Sequence, residues 1–301
     1  FPVGKVEFLA LYPMDFIEFL WAMGDDKLVK LLQSQDWGLI TAVKSKYIER
    51  LRQYYFVGGM PEAVKTFVDG QNFEAVRYVQ NNLLLAYEYD FSKHIKDNSI
   101  ISKVRAVWQS LPEQLAKENK KFVATQAQSG ARLKDFESAI QWLVASGLVH
   151  QIFRITKPNL PLGGYQDNVF KLYFVDVGLL TAKTGLDVSV LLAGNRLFTE
   201  FKGALTEQYV LQQLLVSGLE PIFYWGLERA VAEVDFVVQH SSQIIPIEVK
   251  AEENLKAKSL RSYYDKFKPD KVFRTSMSDY RKQDWLVNLP LYALANFRSL
   301  E

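Results

Sequence analysis

Residues 233–250 read EVDFVVQHSSQIIPIEVK, and the fold of the C-terminal third turns on them. Both ends are runs of β-branched and aromatic residues, the composition of strands, with charges set inside them. Successive strand side chains alternate faces, so Glu233, Asp235 and Val237 are expected on one side, opposite Val234, Phe236 and Val238. In the second run Pro246, Glu248 and Lys250 share a side, opposite Ile245, Ile247 and Val249. A two-residue turn at Ser241 and Ser242 makes the runs a hairpin and fixes its register, with Asp235 directly across from Glu248. Two carboxylates and one ammonium then converge on the sheet.

Burying such a trio without partners is costly. A divalent ion is one answer, because Mg²⁺ is held by one or two carboxylates and takes its other ligands from water and substrate phosphate. Asp235 and Glu248 are the expected metal ligands. Lys250 is the expected catalytic cation, orienting a water or stabilising charge on a phosphoryl oxygen. The other answer is a closed ion-pair network in which the carboxylates only neutralise Lys250. A third carboxylate, Glu207, lies in GALTEQYVLQQLL (203–215), one turn before Val210 and Leu211 on the apolar stripe of a helix. Glu207 is expected as a helper ligand or base, and Gly203 as the point where that helix can approach a sheet or a substrate closely. The elements that follow are strands IFYW, EVDFVVQ and IIPIEVK, a helix NLKAKSLRSYYDKF and a strand KVFRTS. An aspartate followed at hairpin distance by E-x-K resembles the active-site signature of the PD-(D/E)xK nuclease superfamily. That resemblance implies a restriction-endonuclease-like αβββαβ core, in which a helix-borne glutamate often joins the strand carboxylates.

Composition bounds the rest. The chain has 301 residues, 49% apolar and 23% charged, which is ordinary for a folded protein of two or three domains. It has no cysteine, so disulfides, thiolate metal sites and cysteine nucleophiles are excluded. His94, His150 and His240 have no metal-ligand spacing. No apolar run reaches the length of a membrane span, so the expected setting is cytoplasmic, with no membrane partner. Net charge is only +2, but Lys and Arg gather in residues 93–134 and 250–274. The second stretch follows the site, and Lys256 to Arg274 is expected to track nucleic-acid phosphates.

Residues 1–96 read as mostly helical. Asp15 caps a helix that stops at Gly24, another helix ends at Gly58 and Gly59, Pro61 opens the next, and a long aromatic-rich helix runs from Phe73 to His94. Residues 97–180 read as a winged helix-turn-helix: three helices, then strands GLVHQIFRI and VFKLYFVD around KPNLPLGGYQDN, a flexible wing. ARLKDFESAIQWLVASG is its expected recognition helix, carrying Arg132, Lys134 and Asp135. Residues 181–301 complete a mixed α/β chain with the nuclease-like domain.

The phrases FPVGKVEF, YPMDFIEFL, VGGMPEAV, QLAKENKKF, FKLYFVDVGLL, GALTEQYV, EVDF and PIEVKA resemble, across the whole chain, a large prokaryotic family of AAA-type P-loop ATPases. In that family an ATPase core is followed by a helical lid, a winged helix and a nuclease-like domain of unknown function. The resemblance places Asp235, Glu248 and Lys250 on the nuclease-like signature, Glu207 on the helix glutamate, and Gly58 to Pro61 on the lid motif. A P-loop itself is missing, because Gly4 and Lys5 are followed by Val6 and no glycine stands upstream. With Phe1 in place of methionine, the expectation is a C-terminal fragment that neither binds nor hydrolyses ATP, nucleotide being reached only through the missing ATPase core. The expected partners are that core, nucleic acid with DNA ahead of RNA, and further copies in a homo-oligomer. Two functions stay open: a Mg²⁺-dependent nucleic-acid enzyme, and a non-catalytic binding or assembly module whose site residues form a structural ion-pair network.

Overall fold

Asp15 opens the first helix, α1 (Phe16–Ala22), through a reciprocal cap. Its Oδ1 accepts from Glu18 N at 2.7 Å while Glu18 Oε2 accepts from Asp15 N at 2.8 Å, satisfying two donors that a helix start leaves free. The chain is seen in a computed structural model that describes residues 4–7, 9–117, 120–193, 199–227, 232–253 and 257–300. Phe1 and Lys256 lie outside the described residues. After α1 come α2 (Asp26–Ser34), α3 (Trp37–Ala42), α4 (Lys44–Val57), α5 (Pro61–Gly70) and α6 (Phe73–His94). Pro61 stands at the first turn of α5, and Asn72 caps α6 by accepting from Glu74 N and Ala75 N. The expected helical first third is therefore present.

Next come α7 (Asn98–Ala116), α8 (Ala124–Ala127) and α9 (Glu137–Ala145), then β1 (Val149–Ile155) and β2 (Gln166–Phe174), an antiparallel pair. Two expectations change here. Arg132, Lys134 and Asp135 do not ride on a recognition helix; they form a 3₁₀ turn ahead of α9, closed by Arg132 N donating to Asp135 Oδ2 at 2.7 Å. The Asp135 side chain competes for backbone donors and so starts a turn instead of extending a helix. Nor does the wing hang free. Leu162, in a short 3₁₀ helix between the strands, is 1% exposed and packs in a core cluster with Ile155 and Phe223, so the loop is anchored by burial.

After α10 (Val177–Lys183) and α11 (Val188–Ala193) the element order is α12 (Thr199–Val216), β3 (Ile222–Gly226), β4 (Glu233–His240), β5 (Gln243–Val249), α13 (Lys258–Phe267) and β6 (Phe273–Ser276). This is the anticipated αβββαβ sequence. The helix expected from Asn254 is seen from Lys258, with residues 254–256 outside the described set. Strands β7 (Arg281–Lys282) and β8 (Val287–Pro290) complete one mixed sheet of order β2-β1-β3-β4-β5-β6-β8-β7. β3, β4 and β5 are antiparallel neighbours, while β6 lies parallel to β5, so α13 supplies the crossover that a parallel pair needs. β1 pairs parallel to β3, and the sheet therefore runs unbroken from the wing-like hairpin into the C-terminal part, across the division drawn at 180 and 181.

α12 is the axis of the molecule. Residues 204–215 are buried all round, including Thr206, Glu207, Gln208, Gln212 and Gln213, so this helix has no solvent face. Its buried amides tie down backbone elsewhere. Gln208 bonds both Phe174 N and Phe174 O, at 2.9 and 2.7 Å, and Gln213 Oε1 accepts from Phe16 N at 3.1 Å. Gln212 accepts from Val177 N and donates to Tyr54 OH and to Asp176 Oδ2. Asp176, fully buried, caps α10 through Leu179 N at 2.9 Å and also accepts from Gly59 N at 2.7 Å. Gly58, at a φ of 73°, lies so close that a Cβ there would overlap Asp176 Oδ1. Gly203, by contrast, faces open space, so among the described residues no sheet strand makes the close approach there, and the space beside it is open.

Candidate functional site

The β4–β5 hairpin turns at Ser241 and Ser242, and its register runs from His240 opposite Gln243 to Phe236 opposite Ile247. The paired register ends there, one residue short of Asp235 on β4 and of Glu248 on β5. The strict alternation expected of β4 fails on its other side. Between β3 and β4 the register slips by one, with Phe223 paired to Val237 but Trp225 to Val234. Consequently Val234 and Val237 both pack against Leu260 and Tyr263 of α13, whereas Phe236 and Val238 join the main core with α12. A bulge of this kind inserts a residue and re-aims its neighbours, and here the extra residue falls at Asp235–Phe236. Asp235 Oδ2 then accepts from Val249 N at 2.7 Å, a β5 donor beyond the last paired residues.

Each of the other predicted residues has a defined partner. Glu248 is 4% exposed, and its Oε1 accepts from Lys250 Nζ at 2.5 Å, while Lys250 N donates to Thr275 O on β6. Glu248 Oε2 is buried and makes no hydrogen bond. Arg274, beside Glu248 in the parallel β5–β6 register and fully buried, donates through Nε to Asn288 Oδ1 at 2.9 Å. Glu207 accepts from Lys120 Nζ at 2.5 Å on Oε1 and from Tyr173 OH at 3.2 Å on Oε2. Charge–charge interactions, beyond the direct Glu248–Lys250 bond, join all four predicted residues into one group. Burial first, then Glu207 and Glu248, push the Asp235 proton affinity well above the usual carboxylate range. Burial raises Glu248 as well, against the pull of Lys250. Burial works against charge on Lys250, yet Glu248, Asp235 and Glu207 outweigh it and raise its affinity for the proton. Glu207 goes the other way: burial opposes ionisation, but Lys120 and Lys171 hold it below its ordinary value.

Four members of the cluster are additions to those expected. Lys171 of β2 is 1% exposed, lies 4.7 Å from the centre of the Tyr224 ring and donates to Glu233 Oε1 at 2.5 Å. Tyr173 and Lys120 reach Glu207. The signal for two of them was present in FKLYF, where Lys171 and Tyr173 share a face of an otherwise apolar strand. For Lys120, in a loop, and for Glu233, at a strand start, no local pattern marks the role.

This cluster straddles two family matches. A domain of unknown function (DUF8612) matches residues 48–189, and a second domain of unknown function (DUF4143) matches residues 202–294. Lys120, Lys171 and Tyr173 fall in the first, and Glu207, Glu233, Asp235, Glu248 and Lys250 in the second. DUF4143 is a domain found in AAA-ATPase-associated proteins. No curated protein and no solved structure matches the chain. Among the described residues no helix is long and apolar enough to cross a membrane.

Proposed function

We propose that the chain is the C-terminal part of an AAA-type ATPase and that its sheet carries a nuclease-like site for a divalent ion, Mg²⁺ first, acting on a phosphodiester of nucleic acid, DNA ahead of RNA. The observation that carries this reading is Glu248: a buried carboxylate with one oxygen unpaired, close enough to act electrostatically on Asp235, a carboxylate of raised proton affinity, with Lys250 alongside. An unpaired buried carboxylate oxygen is expensive unless something positive meets it. Asp235 and Glu248 would hold the ion. Among the described residues no three His, Cys, Asp or Glu side chains form a ready metal-holding group, so such an ion draws its remaining ligands from water and substrate, which is how Mg²⁺ commonly binds. When bound, the ion supplies Lewis acidity toward a phosphoryl oxygen. Lys250, 31% exposed at the side chain, is the member able to reach a substrate oxygen. Glu207, with both oxygens already accepting and its proton affinity lowered, suits a positioning role better than that of a base.

One specific observation favours a second reading. Lys120, Lys171 and Lys250 are each bonded to a glutamate, which is also the pattern of an ion-pair network that only holds the sheet to its neighbours, as in a binding or assembly module. The deciding experiment is cleavage of single- and double-stranded DNA and RNA with Mg²⁺ or Mn²⁺, alongside Asp235→Ala and Lys250→Ala. The enzyme reading expects both variants to fold and to lose on the order of 10²-fold or more in rate. Absence of cleavage by well-folded wild type, with variants destabilised by about 3–5 kcal/mol, would leave the network reading in its place.

A further inference from the structure

Which carboxylates the lysines occupy fixes where a cation has room. Glu207 has both oxygens occupied, by Lys120 Nζ and Tyr173 OH. Glu233 is bonded through Oε1 to Lys171, which at 1% exposure under the Tyr224 ring cannot be displaced without opening the core. Glu248 gives Oε1 to Lys250, and Asp235 gives Oδ2 to Val249 N. The carboxylate oxygens left without a hydrogen bond are then Asp235 Oδ1, Glu248 Oε2 and Glu233 Oε2, the last on a side chain 29% exposed and already held by Lys171. An ammonium, with three donors and a full charge, does for a carboxylate much of what a metal ion would do.

We infer that Lys120 and Lys171, supplied by the segment before α12, are resident counter-cations that reserve Glu207 and Glu233, so that the site takes one divalent ion, between Asp235 Oδ1 and Glu248 Oε2, and not two. This rests on the metal-site reading above. Charge balance points the same way. Four carboxylates face Lys120, Lys171, Lys250 and the adjoining Arg274, so the cluster is near neutrality before any ion enters. A single divalent ion with one phosphodiester leaves a small positive excess. A second ion would add two more charges to a mostly buried group with no anion to meet them, a large penalty in a medium of low dielectric. Lys120 is the replaceable counter-cation, since its side chain stands at the rim with 12% exposure. The site is then a joint product of both matched regions, and the second region alone does not contain it.

The test is Mn²⁺ titration of the full chain without nucleic acid, with bound and free ion counted by electron paramagnetic resonance. Wild type should bind one ion per chain, Asp235→Asn should weaken that binding at least 10-fold, and Lys120→Gln should gain a second ion while keeping its circular dichroism. Glu207→Gln should leave the affinity of the first ion within about 3-fold, because Glu207 is not its ligand. Two ions on wild type, or a large loss of first-ion affinity in Glu207→Gln, would overturn the inference and leave the metal site standing. A folded Lys120→Gln that still binds one ion would overturn it too. No saturable binding to wild type would remove the metal site itself, and the inference with it.

Discussion

Two buried carboxylate centres lie on α12 about one and a half turns apart, one around Gln212 and one around Glu207, and they are built on opposite principles. Asp176 is surrounded by neutral donors that the fold supplies: Gly59 N, Leu179 N and the Gln212 amide. Burial raises its proton affinity and those hydrogen bonds pull it back. Asp235 has a single backbone donor, and its strongest charged neighbours are other carboxylates, Glu207 and Glu248. The first arrangement satisfies every group it gathers and fixes a cap, a glycine turn and a helix axis in one stroke. The second leaves an oxygen open and keeps like charges together, the kind of stored cost that functional sites carry.

The comparison breaks most easily on isosteric amides. Asp176→Asn replaces one acceptor oxygen with a donor that must face Gly59 N or Leu179 N, so unfolding in urea should show a loss of about 2–3 kcal/mol. Asp235→Asn retains an oxygen for Val249 N and removes a charge from a site of like charges, so stability should stay within about 1 kcal/mol and move upward. If both variants lose stability equally, the second centre is a satisfied structural network like the first.

Acid sharpens the same contrast. The folded-state proton affinities of Asp235 and Glu248 are raised, so the folded chain binds protons more tightly than the unfolded one, and the stability this contributes is present at acid pH and lost as pH rises through the folded values. Glu207, being lowered, contributes in the opposite sense: its share is present above the unfolded value and lost as pH falls. Melting temperatures of wild type and Asp235→Asn should therefore differ most near pH 7 and converge toward the ordinary carboxylate range near pH 4. A gap that does not narrow would show that Asp235 titrates like an exposed carboxylate.

How much of this was legible depends on whether a pattern is local. Asp15, Gly24, the Gly58–Pro61 turn and the two-serine hairpin are written within a few residues, and the structure has each where the local pattern puts it. The element order from α12 to β6 followed from the same periodicities. What the sequence could not show were departures caused by distant partners. The bulge at Asp235 exists against β3, so no property of EVDFVVQ alone reveals it. Glu207 on a buried stripe was visible, but its anchors Lys120 and Tyr173 lie 87 and 34 residues away. At Arg132 local propensity is too weak to separate helix from turn, and the Asp135 side chain decides for the turn.

Glycines on or against α12 carry the smallest effect and the finest test. Gly58, which meets the Gln212 end through Asp176, combines a positive φ with a contact that no Cβ can share, and is there because nothing else fits. Gly203 sits inside α12, at the end nearer Glu207, with open space where a Cβ would go. The residue has the general helix cost of glycine without a packing reason, so Gly203→Ala should stabilise the chain by about 0.5–1 kcal/mol in urea unfolding. If that gain appears with nucleic-acid cleavage unchanged, the glycine is incidental to the site. If it appears with cleavage reduced, the open space beside Gly203 is where substrate backbone passes, and the centre around Glu207 extends one turn further along the helix than its charged residues mark.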